Sequence, residues 1–153
     1  MLHTLLGRRA AFATTLSFIS VTLLPKTARA QDMQAPTQAS LRRLIGDKTP
    51  SEGRVTLRLP PIAENGNTVP LTVQVESPMT VADHVKAIHI LADKNPSPEV
   101  ASFKLTPALG RAQAETRIRL GTTQDVVAVA EMSDGSVWIA RAEVKVTIGG
   151  CGG

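Results

Sequence analysis

The chain has 153 residues, of which 17 are basic and 13 acidic, giving a formal net charge of +4 at pH 7. Four basic residues and no acidic residue lie in the first 30 positions, so the rest of the chain is electrically neutral. It also contains one Trp and no Tyr. This composition argues against a nucleic-acid-binding surface, which needs basic charge and stacking aromatic side chains.

Residues 1–30 have the pattern of a cleaved export signal. Arg8 and Arg9 form a short cationic region, an apolar stretch follows over 10–24, and 28–30 supplies small residues at the A-x-A cleavage positions. The paired arginines favour the twin-arginine route. The apolar stretch is shorter than the roughly 20 residues of a membrane-spanning helix. We therefore expect cleavage after Ala30 and a periplasmic protein without a membrane anchor.

Residues 31–52 predict an N-terminal segment with one short helix. The stretch 31–38 is polar and poorly patterned, which indicates a disordered start. A helix is predicted over 39–45, with Ser40 as a possible cap and Gly46 as its end.

Residues 53–148 predict a β domain, because apolar and polar residues alternate in short runs separated by turn signals. Asn65-Gly66 is a strong turn signal, and Asp134-Gly135 predicts a two-residue hairpin of the primed-turn kind. Two of the runs are apolar on both faces and are expected to be buried on both sides. The predicted strands are 55–59, 71–75, 85–92, 100–105, 115–120, 125–132 and 138–148. Seven short strands without long helical segments favour an antiparallel, immunoglobulin-like β-sandwich, and a barrel is the main alternative.

Residues 149–153 read Gly149-Gly150-Cys151-Gly152-Gly153 and contain the single cysteine of the chain. Glycine accepts almost any backbone conformation, and five extended residues span about 17 Å at roughly 3.3–3.6 Å per residue. Because the preceding strand ends at Ile148, we expect a flexible arm on a fixed base. A single cysteine in an exported chain indicates a free reactive thiol or an intermolecular disulfide.

The arm lacks the groups that a catalytic thiol requires. The sequence has no Cys-x-x-Cys motif and no obvious base beside Cys151, and an ordinary thiol has a pKa near 8.5. Such a thiol is better suited to hold a covalent adduct for other enzymes, as lipoamide and biotin arms do. We therefore expect a carrier with no catalytic residue of its own.

Other candidate residues point to no cofactor or metal. His84 and His89 are five positions apart, which places them on opposite faces of a strand. The spacing therefore predicts no shared metal site. Arg111, Arg117 and Arg119 could attract an anion or an acidic partner, but a solvated strand face is the better explanation. No haem, zinc-peptidase, serine-hydrolase or phosphate-loop motif occurs.

Three segments resemble the SoxY family, the sulfur carriers of the periplasmic thiosulfate-oxidising (Sox) system. They are the C-terminal stretch 144–153 with its GGCGG ending, the loop Asp93-Lys94-Asn95-Pro96 with 98–101 after it, and the run 127–135. The resemblance spans roughly 71–153 and is looser over 31–67.

The resemblance implies that Cys151 holds thiosulfate-derived adducts, with Gly149, Gly150, Gly152 and Gly153 as the flexible arm. It implies a heterodimer with a SoxZ-like β-sandwich subunit. It further implies three partner enzymes: a c-type cytochrome that attaches thiosulfate, a hydrolase that releases sulfate, and, where present, a molybdenum-haem sulfane dehydrogenase.

A second hypothesis remains open from the residues alone. An exported β-sandwich can be an interaction module, with Cys151 serving only to link two chains by a disulfide.

Overall fold

The computed structural model describes residues 33–149. Their secondary structure is one helix, nine strands and a single 3₁₀ turn over Pro107–Leu109. The helix, α1, spans Ala35–Ile45. The strands are β1 (Ser51–Glu52), β2 (Val55–Arg58), β3 (Ile62–Asn65), β4 (Val69–Val75), β5 (Val85–Ala92), β6 (Glu99–Lys104), β7 (Ala112–Ile118), β8 (Gln124–Met132) and β9 (Val137–Ile148).

The strands form two sheets, which confirms the predicted β-sandwich. The larger sheet has the order β1-β9-β8-β5-β6, with β3 also paired to β9, and the smaller has the order β2-β4-β7. Apolar side chains from both sheets form the main core, which includes Leu71, Val73, Ile88, Ile90 and Ala128. Burial of such side chains contributes roughly 1.5–3 kcal/mol each, and this core holds the domain together without a disulfide.

Two of the nine strands were not predicted. β1 and β3 are short and pair in parallel with opposite ends of β9, β1 with Trp138 and Ile139 and β3 with residues up to Ile148. Neither has an alternating run long enough to be recognised. The Pro60-Pro61 pair ends β2 as expected, but the chain then returns to the sheet edge as β3.

The prediction that β5 and β8 are buried on both faces is confirmed. Ile88, Ile90 and Ala128 face the core between the sheets. Leu91 and Val127 face the opposite side, where they pack against Leu41 and Ile45 of α1. The helix therefore covers the outer face of the larger sheet, which explains why these strands lack alternation.

The predicted start of the helix was wrong. α1 begins at Ala35 rather than at residue 39, Ser40 lies in its buried interior, and residues 33–38 are ordered. Pro36 suits the first turn because it has no N–H to satisfy. The Asp93 carboxylate accepts a hydrogen bond from Gln34 N at 2.8 Å. This distant acceptor fixes the helix start, whereas Gly46 ends the helix as predicted.

The far end of α1 is tied to the sheet by charge. The Arg43 guanidinium donates a hydrogen bond to the carboxylate of Glu99 on β6, and this contact holds the pKa of Glu99 below its usual range. None of the helical segments within residues 33–149 is both long and apolar enough to cross a membrane.

Candidate functional site

The predicted site residues Cys151, Gly150, Gly152 and Gly153 lie outside the described residues, and Gly149 is the last residue that the structure describes. The candidate site is therefore the end of the fold from which this tail departs. It consists of the end of β9 and three segments beside it, 65–68, 93–98 and 119–124, which contain the loops after β3, β5 and β7.

The end of β9 is fixed from both sides. β8 pairs with β9 up to Gln124 opposite Val144, and β3 pairs with it up to Asn65 opposite Ile148. Beyond the ladder with β8, Val146 N donates a hydrogen bond to the Thr123 hydroxyl at 2.9 Å. The predicted fixed base at Ile148 is therefore present, although the Ile148 side chain is 67% exposed.

Gly149 lies directly against the backbone of Gly121. A Cβ atom on residue 149 would overlap the Gly121 carbonyl oxygen and would lie 3.4 Å from the carbonyl carbon. Because the obstructing atoms belong to the backbone, only glycine fits at position 149 without a shift of the chain.

Asn95 holds Gly121 in this place. Its Nδ2 donates to the Arg119 carbonyl at 2.8 Å, and its Oδ1 accepts from Gly121 N at 3.1 Å. The amide therefore bridges the two sides of the 119–124 loop, and a side chain with both a donor and an acceptor is needed to do so.

Gln124 holds Asn95 in turn. Its side chain is 2% exposed, donates to Asn95 Oδ1 at 2.8 Å and to the Thr122 carbonyl at 3.2 Å, and accepts from Lys94 N at 2.6 Å. A buried amide with its polar atoms satisfied restrains its surroundings.

Gly66 completes the arrangement from the side of β3. Its N–H donates to the Ile148 carbonyl at 2.9 Å, and its carbonyl accepts from Leu120 N at 2.8 Å. The end of β9 is thus connected through Gly66 to the residue just before Gly121. We call Gly66, Asn95, Gly121 and Gln124 the tail seat.

Two cationic side chains lie on the loops that form the tail seat. Lys94 and Arg119 are both exposed, and Lys94 Nζ donates to the Thr123 carbonyl at 3.3 Å. The acidic Asp93 is buried and engaged with the start of α1 through Gln34 N and Thr37 Oγ1. The exposed charged side chains of the 93–95 and 119–124 segments are therefore cationic.

A protein family of sulfur oxidation matches the sequence around this site. The model of the family described as "Sulfur oxidation protein SoxY" matches residues 41–151, so the match includes the single cysteine. The chain belongs to the SoxY family. A search of curated protein sequences found no match.

Solved structures agree with the SoxY assignment. The sulfur carrier protein SoxY from Chlorobium limicola f thiosulfatophilum is 30% identical, with a TM-score of 0.60 over 71% of this chain and 89% of that chain. A superoxide reductase (neelaredoxin) from Ignicoccus hospitalis has a TM-score of 0.54 at 16% identity, covering 61% of this chain and 80% of that one. At that identity the likeness shows a shared fold alone.

The family therefore supports a carrier role in sulfur oxidation, and the structure gives one of its motifs a location. Asp93 of the Asp93-Lys94-Asn95-Pro96 motif contacts the start of α1, and Asn95 of the same motif belongs to the tail seat.

The sequence indicated only a loop for this segment and did not reveal Gly66, Gly121 and Gln124 as site residues. A polar Gly-Thr-Thr-Gln run between two strands was the available signal for the last two.

The two histidines have separate partners, and His84 lies before β5 rather than on the same strand as His89. His84 Nδ1 contacts the Thr80 carbonyl at 3.1 Å, before β5 begins. His89 lies on the outer face of the larger sheet, with Nδ1 2.8 Å from Ser102 Oγ and Nε2 3.0 Å from Glu131 Oε1. Within residues 33–149, no group of three His, Cys, Asp or Glu side chains is arranged to bind a metal.

Two of the three arginines and a cavity beside α1 also lie apart from the seat. Arg111 and Arg117 are exposed on or before β7, and only Arg119 reaches the tail end. A cavity of about 650 Å³ is lined by α1 and the segment after it, and none of its lining residues belongs to the tail seat. These features give the site no further functional group.

Proposed function

We propose that this protein is a covalent carrier of sulfur intermediates in thiosulfate oxidation, with Cys151 as the attachment site. The observation that carries the proposal is the extent of the family match, which runs to the single cysteine of the chain. The glycines on both sides of Cys151 suit a thiol that must enter the narrow sites of other enzymes.

The proposed chemistry needs only a thiol from this chain. In the first step Cys151 Sγ forms a bond to the outer sulfur of thiosulfate, a proton leaves, and two electrons pass to a c-type cytochrome. In the second step a hydrolase uses water to cleave the S–S bond to the sulfonate group, which releases sulfate and leaves a persulfide on Cys151. The partner enzymes supply the acid, base and redox groups, as they do for other carrier arms.

The fold suits this division of labour. The end of β9 is fixed by β3, β8 and the tail seat, so the tail starts from a rigid base. The exposed Lys94 and Arg119 beside the seat favour the anionic S-thiosulfonate over a neutral adduct.

The proposal includes location and partners. We propose export to the periplasm by the signal in residues 1–30, with the paired arginines directing the twin-arginine route. There the chain pairs with a SoxZ-like subunit as a heterodimer. The cytochrome and the hydrolase act on the tail in turn, and a molybdenum-haem sulfane dehydrogenase, where present, oxidises the remaining sulfane sulfur.

Intact-mass spectrometry tests the carrier function. We expect the protein to gain one thiosulfate-derived group after incubation with thiosulfate and the partner enzymes, and a Cys151→Ala variant to gain none. Thr147→Ala, which alters an exposed side chain on β9, should load like the native protein.

Two results would contradict the carrier function. One is an unchanged mass, or equal modification of Cys151→Ala. The other is a non-reducing gel on which a Cys151-linked dimer is the single active species, which would favour the interaction module.

A further inference from the structure

The tail seat is more elaborate than the end of a strand requires. β9 is already paired with β8 and β3 up to its last residues, and Gly149 lies beyond these ladders. Even so, the Gly121 carbonyl lies against Gly149. This contact lies outside the sheet and restricts the position of the first residue of the tail, so it calls for a separate explanation.

The seat is also held by side chains from elsewhere in the sequence. The Asn95 amide lies 24 and 26 positions from the Arg119 carbonyl and Gly121 N–H that it binds. Gln124, at 2% exposure, orients that amide. Since Asn95 Oδ1 accepts two hydrogen bonds and Nδ2 donates a third, the amide has one well-defined orientation.

We propose that Asn95 and Gln124 are positioning residues for the thiol, because they hold the Gly121 carbonyl against Gly149 and so fix the point from which Cys151 is presented. The consequence for sulfur transfer rests on the proposed carrier function. The positioning itself does not, since it concerns the backbone of residue 149.

The geometry gives the expected size of the effect. Cys151 is two positions after Gly149, so its Cα lies within about 7 Å of the fixed point. If loss of the seat freed two more residues of the chain, the radius that the thiol can reach would double. The local concentration of the thiol around its base would then fall about eightfold. We therefore expect loss of the seat to slow transfer to a partner enzyme by about tenfold.

Distance measurements test the positioning directly. Cys151 is the single native cysteine, so a nitroxide attaches there specifically, and Lys104→Cys on the exposed part of β6 provides a second site. Double electron–electron resonance should give a broader and shifted distance distribution for Asn95→Ala and Gly149→Ala than for the parent. Asn67→Ala is the matched control, because this exposed asparagine lies at the same end and its side chain makes no hydrogen bond to residues 33–149.

A second measurement separates positioning from general loosening. With the sulfur-loaded protein, kcat/KM for the sulfate-releasing hydrolase should fall about tenfold in Asn95→Ala. Alkylation of Cys151 by iodoacetamide should keep its native rate, since a small reagent needs no particular direction of approach. A merely structural role for Asn95 would leave kcat/KM unchanged in the folded variant.

Gly149→Ala keeps the test decisive if Asn95→Ala does not fold, because it removes no side-chain hydrogen bond. Distance distributions equal to the parent in the folded variants would overturn the proposal. If Cys151 accepts no sulfur adduct at all, the carrier function is wrong, while the distance result still decides whether the seat positions residue 149.

Discussion

The two ends of β9 are stabilised in different ways. At its start, the Ser133–Ser136 turn is closed by bonds among neighbours: Ser136 N and Oγ both donate to Asp134 Oδ1, at 2.8 and 2.7 Å, and Gly135 N donates to the Met132 carbonyl. At its end, the tail seat joins residues from three separate loops, with 24 to 29 positions between the bonded partners of Asn95. One end is a local structure and the other depends on the assembled sandwich.

This difference has a functional meaning. A local turn needs only its own residues, so the same two strands and turn occur in many different folds. The tail seat forms only when β3, β5, β7, β8 and β9 are in place. Its residues and the backbone groups that they bind lie at the ends of these strands. The point of departure of the tail is therefore tied to correct folding of the whole domain.

The largest difference between the two ends should follow from loss of Gln124. Gln124→Ala removes a buried amide and leaves Lys94 N and Asn95 without their partner. We expect the free energy of unfolding to fall by about 3 kcal/mol, since buried groups left unsatisfied cost about 1–3 kcal/mol each. Urea denaturation measures this loss in the free energy of unfolding.

Gln74→Ala is the control for this change, because Gln74 is exposed on β4 and should cost less than about 0.5 kcal/mol. Equal losses for Gln74→Ala and Gln124→Ala would show that the network around Gln124 is not stabilising.

A matched pair of glycines gives a smaller but sharper contrast. Gly135 has φ +85° and open space where a methyl group would point, whereas Gly149 is blocked by the Gly121 carbonyl. Gly135→Ala should lower the free energy of unfolding by about 1 kcal/mol because alanine disfavours positive φ. Gly149→Ala should leave it nearly unchanged, since the chain end can shift away. Thermal melting compares the two, and a larger loss for Gly149→Ala would contradict this view of the tail end.

The smallest predicted effect is that the turn before β9 responds to acid pH and the tail seat does not. The Ser136 hydroxyl and amide hold the pKa of Asp134 below its usual range. Because the folded pKa is lowered, the stabilisation is complete above the ordinary value of about 3.9 and is lost as pH falls through the folded pKa. The corresponding acceptor for Gly121 N–H is the Asn95 amide, which does not titrate.

Amide NMR shifts across this acid range check the difference. The Ser136 N–H signal should move with a midpoint below about 3.9, and the Gly121 N–H signal should move much less. A common midpoint for both signals would contradict the assignment of the two acceptors.

The strands and turns of the core could be predicted because their signals are local. Alternation in β4 and β9 and the apolar runs of β5 and β8 each lie within a few residues. The Asp134-Gly135 turn was predicted at the right place but with the wrong type, because four residues connect β8 to β9 and Asp134 lacks the positive φ of a two-residue primed turn. The start of α1 could not be predicted, because its acceptor, the Asp93 carboxylate, lies 59 positions away from Gln34. The short parallel strands β1 and β3 likewise depend on β9 for their pairing.

The candidate site divides in the same way. Cys151 and its flanking glycines are recognisable as a unit in the sequence, and they remain a prediction because they lie outside the described residues. Asn95 was recognisable only as part of a family motif, with no indication of what it binds. Gly121 and Gln124 lie in a polar Gly-Thr-Thr-Gln run between two strands, but that run gives no indication of what the two residues bind.

The β class, the pattern of an export signal and the single thiol between glycines can all be recognised in the sequence, because alternation, composition and residue identity are properties of neighbours along the chain. The tertiary structure decided where the tail begins and what holds it there. Hydrogen bonds of the Asn95 amide and the close approach of Gly121 to Gly149 form only between segments that folding brings together, and no local pattern encodes such distances.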